Sequence, residues 1–131
     1  ETMHDFASGL NAVVAGLLQS TSARNAIVTL GKQGLVAFDR NPQHTGDQPW
    51  ERSLRSEYLP AMAPRVIDSL GASDAMLAAA TLALTGNASL HACAFIGALA
   101  AAVEVEQIGN HPVSADQLYA RIGQPPAAMV A

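Results

Sequence analysis

Apolar side chains near the start of the chain recur every three or four residues. Between residues 5 and 18 they are Phe6, Leu10, Val13, Val14, Leu17 and Leu18. This spacing places them on one face of an α-helix, with polar side chains on the other face. We therefore predict an amphipathic helix over 5–18, which ends before the polar run 20–22.

Short apolar runs rich in β-branched residues follow this helix. Residues 26–30 read Ala-Ile-Val-Thr-Leu and residues 35–38 read Leu-Val-Ala-Phe, with the glycine-bounded segment 31–34 between them. Such a pattern is typical of two strands joined by a tight turn. The polar, proline-containing segment 41–55 predicts an exposed loop, and 57–59 predicts a brief strand.

Two apolar, alanine-rich segments dominate the second half of the chain. The first, 74–84, is followed by Thr-Gly-Asn, which is typical of a helix end. Ser89 is placed to cap a second helix that runs to about residue 105 and, being apolar all round, is expected to be buried. Ser114 and Gln117 have the spacing of a capping box, which predicts a last short helix.

Composition narrows the class of protein. The chain has 131 residues, half of them apolar and only 14% charged, which fits a single globular domain and excludes a disordered chain. Alanine accounts for 26 residues and aromatic residues for 5%, so we expect helices to pack at close range. The chain opens on Glu1, without a secretory signal and without an initiator methionine, so we expect a piece of a longer chain.

Charge and cysteine content disfavour several kinds of partner. Seven Lys and Arg against eleven Asp and Glu give a net charge of −4 without a basic patch, which disfavours nucleic-acid binding. The apolar segments are shorter than the ~20 residues of a membrane span, so we expect no membrane partner. Cys93 has no second cysteine for an internal disulfide, which fits a reduced, cytoplasmic location.

The candidate catalytic segment is 68–74, Asp-Ser-Leu-Gly-Ala-Ser-Asp. Here an extended segment passes into a helix through small residues, which leaves backbone N–H groups without partners at the positive end of the helix dipole. Such a corner stabilises negative charge on a phosphoryl group. Asp74 is placed to accept a proton from an attacking hydroxyl group. The alternative is that Asp74 only caps the helix.

Two motifs together resemble the PfkB-type sugar kinases, the ribokinase-like family. Residues 68–74 resemble that family's Asp-Thr-Thr-Gly-Ala-Gly-Asp signature, and residues 28–34 resemble its Val-Thr-Leu-Gly-x-x-Gly nucleotide-binding turn. The alanine-rich helix before Gly109 also falls where the family has one, so the resemblance covers roughly 26–118. It implies an α/β, ribokinase-like fold of three α/β/α layers with a mainly parallel sheet.

The activity that this resemblance implies is ATP-dependent phosphorylation of a carbohydrate hydroxyl. Residues 1–131 would form the C-terminal nucleotide-binding segment. The sugar pocket, the lid and the Asn-x-x-Glu motif that organises Mg²⁺ would belong to an N-terminal part, so the segment alone is expected to be inactive. The implied partners are ATP and a small-molecule sugar, and the full-length parent is compatible with a homodimer.

The resemblance also assigns roles at the phosphoryl end of the site. Asp74 matches the catalytic base, and Gly71, Ala72 and Ser73 match the residues whose amides form the anion hole. Asp68 matches an aspartate that in many members helps to hold a monovalent cation such as K⁺; its other interpretation is a turn aspartate. Ser73 replaces a glycine of the signature, which places a side chain where an unusual φ or close phosphate approach favours glycine.

At the nucleotide end, the resemblance assigns three residues of the first motif and two glycines further on. Thr29, Gly31 and Gly34 match the turn that lies along the nucleotide. Gly97 falls near a helix position that borders the adenine pocket; the alternative is a small residue that lets two helices approach. Gly109 falls near the loop that closes the cation site.

Two rival functions stay open. The same motifs serve nucleoside and vitamin-precursor kinases, whose discriminating pocket would lie outside this segment. Ser73, together with Ser69 and Leu70 in place of the two threonines, also fits a degenerate, non-catalytic nucleotide-binding module.

The remaining polar residues are not assigned to a site. Glu104 and Glu106 are expected at a solvated helix end, and the four histidines lack the spacing of a zinc site. Cys93 is expected to fill the core.

Overall fold

The computed structural model describes residues 3–41, 43 and 49–123 of the chain. Its helices are α1 (Met3–Thr21), α2 (Trp50–Ser53), α3 (Ala72–Thr85), α4 (Leu90–Val105) and α5 (Ala115–Arg121), and its strands are β1 (Asn25–Thr29), β2 (Leu35–Arg40) and β3 (Leu54–Leu59). A 3₁₀ turn, Gly31–Gln33, joins β1 to β2. The four predicted helices and the hairpin are therefore confirmed.

The three strands form an antiparallel sheet in the order β1-β2-β3. Thr29 pairs with Leu35 beside the 3₁₀ turn, and Leu35 pairs with Leu59 on the other side. The expectation of a mainly parallel sheet is wrong for the described part of the chain. Parallel neighbours need a long crossover connection, whereas β1 and β2 are joined by a tight turn.

The segment between β2 and β3 contains more regular structure than its sequence predicts. Within 41–55, helix α2 and the start of β3 replace the C-terminal end of the expected loop. Strand β3 begins before 57–59 because Leu54 pairs with Arg40 and the ladder continues to Leu59. Residues 42 and 44–48 of this expected loop lie outside the described residues.

Helix α4 covers one face of the sheet. Leu35, Ala37 and Leu59 of the sheet pack with Ala94 and Ala98 of α4 in one buried cluster. Helix α3 lies against α4.

Helix α1 covers the opposite face, where Phe38 packs with Val14 and Leu18. Successive side chains of β2 point to alternate faces, so one strand serves both clusters. The described elements therefore form helix, sheet and helix layers. Val13 and Leu17, which the helical spacing assigns to the buried face, are exposed instead.

Helix α4 is buried along most of its length. Ser89 caps it as predicted, since its Oγ accepts a hydrogen bond from the amide of Ala92 at 3.2 Å. Cys93 is buried in this helix, as expected. Glu104, near the C-terminal end, is only 1% exposed, so the expectation of a solvated helix end is wrong for this residue. The loop after α4 folds over its carboxylate, as described below.

The capping box of α5 is confirmed. Ser114 Oγ accepts a hydrogen bond from the amide of Gln117 at 3.2 Å, and the Gln117 side chain accepts one from the amide of Ser114 at 2.8 Å. Arg121 pairs with Glu106 at 2.5 Å and so fastens α5 to the end of α4.

No helix among the described residues combines the length and the hydropathy of a membrane span.

Candidate functional site

The two sequence motifs line one cleft, although about forty residues separate them in the chain. Thr29, Gly31 and Gly34 contribute from the β1–β2 connection, and Ala72 and Ser73 contribute from the start of α3. The cleft has a volume of about 570 Å³. The structure therefore brings five of the predicted site residues together.

The floor of this nucleotide-motif cleft is apolar. Its lining from the loop after β3 and from α3 and α4 includes Met62, Val66, Met76, Ala98, Ala102 and Val105. Lys32 contributes a cationic side chain at the turn. An apolar floor with few polar groups at one end is typical of a site for a flat, partly apolar ligand such as a nucleobase.

Glycines set the shape of the turn on one wall of this cleft. Gly31 has φ of 59° and Gly34 has φ of 105°, which disfavours any residue with a Cβ. The amide of Leu30 donates to the carbonyl of Gly34 at 2.7 Å and closes the turn. The hydroxyl of Tyr58 on β3 donates to the carbonyl of Gln33 at 2.5 Å, a contact that the sequence analysis missed.

The opposite wall is the N-terminus of α3. Gly71 is its N-cap, with φ of 83° in the left-handed region and no side-chain cap. The amide of Ala72, predicted for the anion hole, donates instead to the carbonyl of Ser69 at 3.4 Å. The amides of Gly71, Ser73 and Asp74 donate to no acceptor in the described part of the chain. Three unpaired amides at the positive end of a 14-residue helix form a place for an anion.

Ser73 adopts an ordinary helical conformation. Among the described residues with a side chain, positive φ occurs at Ser22 and Asn87 and not at Ser73. The concern that this position needs an unusual φ is therefore wrong, and the left-handed residue of the motif is Gly71. The Ser73 side chain is exposed and lines the cleft, so it still occupies space close to the unpaired amides.

Asp74 lies in the first turn of α3 and is exposed. The interpretation that it only caps the helix is wrong, because the N-cap is Gly71 and no side chain makes the cap hydrogen bond. The carboxylate of Asp74 has no hydrogen-bond or ion-pair partner among the described residues. Its carboxylate is therefore accessible to a substrate hydroxyl, which is the first requirement for a general base.

A second cleft, of about 690 Å³, opens on the other side of the α3 N-terminus. Asp74 and Gly71 line it together with Glu104, Asn110 and His111. The turn that begins α3 thus separates the cleft of the nucleotide motif from a cleft that holds the proposed proton acceptor.

Asp68 fastens this turn to the loop after α4. Its Oδ1 accepts a hydrogen bond from the amide of Leu70 at 3.0 Å, and its Oδ2 accepts one from the amide of Gly109 at 3.1 Å. These two amides favour the ionised carboxylate and lower the pKa of Asp68 below its usual value. These two contacts are those of a turn aspartate. They also place Gly109, which is predicted near the loop that closes the cation site, beside Asp68.

Gly97 faces α3 and not the cleft. A Cβ at Gly97 would lie 3.1 Å from the backbone oxygen of Met76 and 3.2 Å from the Cβ of Ala80. This geometry matches the alternative in which a small residue lets two helices approach. Its neighbour Ala98 lines the cleft instead.

The family resemblance implies a nucleotide and Mg²⁺ at this site. The glycine turn, the apolar floor and the unpaired amides fit a nucleotide. No group of three or more His, Cys, Asp or Glu among the described residues is arranged to hold a metal ion.

Glu104 is the buried residue of this region that the sequence analysis misplaced. Its Oε1 accepts a hydrogen bond from the amide of His111 at 3.1 Å. The signal that points to it is a single acidic residue between Val103 and Val105 in an otherwise apolar run.

Comparison with known proteins shows the family of the chain. A sequence model described as "pfkB family carbohydrate kinase" matches residues 6–116. Two curated proteins named bifunctional protein HldE are similar to the chain. The one from Desulfatibacillum aliphaticivorans is 28% identical over 92% of the chain, and the one from Azorhizobium caulinodans is 36% identical over 62% of it. The chain spans 22% and 18% of their respective lengths, or about a fifth.

Two crystal structures share the fold. A probable sugar kinase from Rhizobium etli aligns with a TM-score of 0.58 at 25% identity, over 75% of this chain and 26% of that protein. A ribokinase from Thermotoga maritima aligns with a TM-score of 0.66 at 20% identity, over 84% of this chain and 33% of that protein. The predicted α/β, ribokinase-like fold is therefore confirmed.

Proposed function

The chain belongs to the pfkB family of carbohydrate kinases, and from this premise we propose that it supplies the nucleotide site, the anion hole and the catalytic base for ATP-dependent phosphorylation of a carbohydrate hydroxyl. Residues 1–131 then act as the C-terminal segment of a longer kinase. Its substrates are ATP and a small-molecule sugar, and its location is the cytoplasm.

One observation carries this proposal: both motifs line a single cleft, and the accessible carboxylate of Asp74 lines the second cleft, across the turn that carries the unpaired amides. Neither motif by itself would indicate a site for phosphoryl transfer. Their convergence supports a site in which a nucleotide lies between the glycine turn and the start of α3.

In this mechanism, ATP lies along the turn at Thr29, Gly31 and Gly34, with its base against the apolar floor. The γ-phosphate points toward the first turn of α3. The unpaired amides of Gly71 and Ser73 donate to its oxygens and offset the negative charge that develops during transfer.

Asp74 removes the proton from the acceptor hydroxyl as its oxygen attacks the γ-phosphorus in line. A new oxygen–phosphorus bond forms, the bond between the γ-phosphorus and the bridging oxygen breaks, and ADP leaves with that electron pair. Mg²⁺ bound with ATP would neutralise part of the phosphate charge. A monovalent cation such as K⁺ would be held near Asp68 and Gly109, beside the same turn.

The second candidate is a non-catalytic nucleotide-binding module of the same family. The exposed side chain of Ser73 in the cleft favours it, because this side chain lies where the transferred phosphate approaches. A nucleoside or vitamin-precursor acceptor in place of a sugar would leave the roles in this segment unchanged.

The test uses the longer protein that contains this chain. Phosphoryl transfer from ATP is measured against a panel of sugars and nucleosides, and binding of a fluorescent ATP analogue is measured separately. For Asp74→Asn we expect kcat to fall by about 10²- to 10⁴-fold while the Kd for the ATP analogue changes by less than about twofold.

Asp116→Asn is the matched control, because Asp116 is an exposed aspartate in the first turn of another helix, α5, and lines neither cleft. It should leave kcat unchanged. Near-normal kcat in Asp74→Asn would show that Asp74 is not the base. ATP binding without transfer to any acceptor would favour the non-catalytic module.

A further inference from the structure

Glu104 is a carboxylate in a place that packing alone would fill with an apolar side chain. It is the penultimate residue of α4 and is 1% exposed, and the other buried residues of this helix are Cys, Ala, Gly, Leu and Val. Removing a carboxylate from water is costly unless hydrogen bonds or an opposite charge compensate. Its presence here therefore calls for contacts that an apolar residue cannot make.

Glu104 touches the two segments that meet at the start of α3. Its Oε1 accepts the hydrogen bond from the amide of His111, in the loop after α4. The same oxygen would lie 3.0 Å from a Cβ at Gly71, and Asn110 Oδ1 would lie closer still, at 2.4 Å. Glu104 and the loop that it holds therefore pack directly against the left-handed N-cap of α3.

A second carboxylate fastens the same two segments from the opposite direction. Asp68, within the turn, accepts a hydrogen bond from the amide of Gly109, whereas Glu104, on α4, accepts one from the amide of His111. Two donors of one short loop are thus each held by a carboxylate. The carbonyl of Val105 adds hydrogen bonds from the amides of Ile67 and Asp68, at 2.6 and 3.1 Å.

We propose that Glu104 is a positioning residue for phosphoryl transfer: by holding His111 and its loop against Gly71, it keeps the unpaired amides of the first turn of α3 aimed at the phosphate. The proposal rests on the function proposed above for that turn. Glu104 lines the second cleft and not the nucleotide-motif cleft, so it acts on the unpaired amides through Gly71.

The acceptor capacity of the side chain, and not its charge, is the property that this role needs. Gln at position 104 has a similar shape and keeps one oxygen for the amide of His111. Leu fills a similar volume but offers no acceptor. The pair Glu104→Gln and Glu104→Leu therefore separates positioning from simple filling of space.

The experiment uses the full-length protein that contains this chain. For Glu104→Leu we expect kcat to fall by about 10- to 100-fold, while KM for ATP stays within about twofold. Glu104→Gln should retain at least about half of the wild-type kcat. Glu106→Leu is the control: this neighbouring glutamate pairs with Arg121 on α5 and should leave kcat unchanged.

Amide hydrogen exchange supplies a readout that does not depend on kinase activity. Glu104→Leu should speed exchange at His111 and Gly109 and leave the amides of β2 unchanged, whereas Glu104→Gln should match wild type. Normal kcat in Glu104→Leu, or equal defects in Gln and Leu variants, would overturn the proposal. If the wild-type protein lacked transferase activity but the two variants showed the expected exchange pattern, the proposed function would be refuted, whereas the contact between Glu104 and its loop would be supported.

Discussion

Gly34 lies directly against the backbone carbonyl of Leu59. A Cβ built on Gly34 would be 2.1 Å from that oxygen and 2.8 Å from the carbonyl carbon of Pro60. The glycine of the first motif is therefore required by the fold, because the chain leaving β3 passes over it. The same close approach forms one wall of the nucleotide-motif cleft, so the shape of the cleft depends on this contact.

Gly34→Ala should destabilise the protein by about 2–4 kcal/mol, because the new methyl group meets backbone atoms that cannot move independently and φ stays at 105°. Urea denaturation measures the change. Gly9→Ala is the control: Gly9 lies inside α1 with no atom within 4 Å of an added Cβ, so this change should stabilise by up to about 1 kcal/mol. Equal effects at both positions would contradict the close approach.

The contribution of Asp68 to the stability of the fold should depend on pH. The amides of Leu70 and Gly109 lower the pKa of Asp68 below its usual value of 3.8 in the folded protein. The ionised carboxylate therefore stabilises the fold above pH 3.8, and this contribution is lost as the pH falls below that value through the lowered pKa.

Comparison of Asp68→Asn with wild type should reveal this pH dependence in the free energy of unfolding. Asn cannot ionise, so the gap in free energy of unfolding between wild type and variant should be constant above about pH 5 and should shrink as the pH falls below the usual aspartate pKa. Urea denaturation at a series of pH values measures it. A gap that does not change with pH would mean that the carboxylate is not held by these amides.

Features that depend on neighbouring residues were predictable from the sequence. The serine caps at Ser89 and Ser114 need only a hydroxyl three residues before an amide, and both are present. The β1–β2 hairpin needs two apolar runs and a glycine turn. The two site motifs were found for the same reason, since each is a continuous segment whose residue types indicate its local chemistry.

Features that depend on distant residues were not predictable. Glu104 and Glu106 both lie near a helix end, and only the loop after α4 makes one of them buried. The hydrogen bond from Gly109 to Asp68 joins residues 41 positions apart. The orientation of Gly97 depends on which face of α4 meets α3, which an almost wholly apolar helix does not reveal.

Ser73→Gly tests the residue that departs from the family signature. Glycine removes an exposed side chain from the cleft, so we expect kcat/KM for ATP to rise several-fold in the longer protein. Since Ser73 lies in the first turn of a helix, the same change should cost about 0.5 kcal/mol of stability. A fall in kcat/KM would show instead that the serine hydroxyl binds the phosphate.

Gly97→Val should loosen the packing of α4 against α3. A Cβ at Gly97 would already lie 3.1 Å from Met76 Cγ, and the two extra methyl groups of valine have no space between the helices. We expect a loss of about 1–3 kcal/mol in the free energy of unfolding.

Met76 also lines the nucleotide-motif cleft, so displacing it should weaken binding of a fluorescent ATP analogue in the same variant. Gly16→Val is the matched control, because Gly16 lies in α1 with no atom within 4 Å of an added Cβ. It should leave both stability and binding close to wild type. If Gly97→Val lost stability but bound the analogue normally, the close helix contact would support the fold without shaping the cleft; if the two valine variants behaved alike, the contact would support neither.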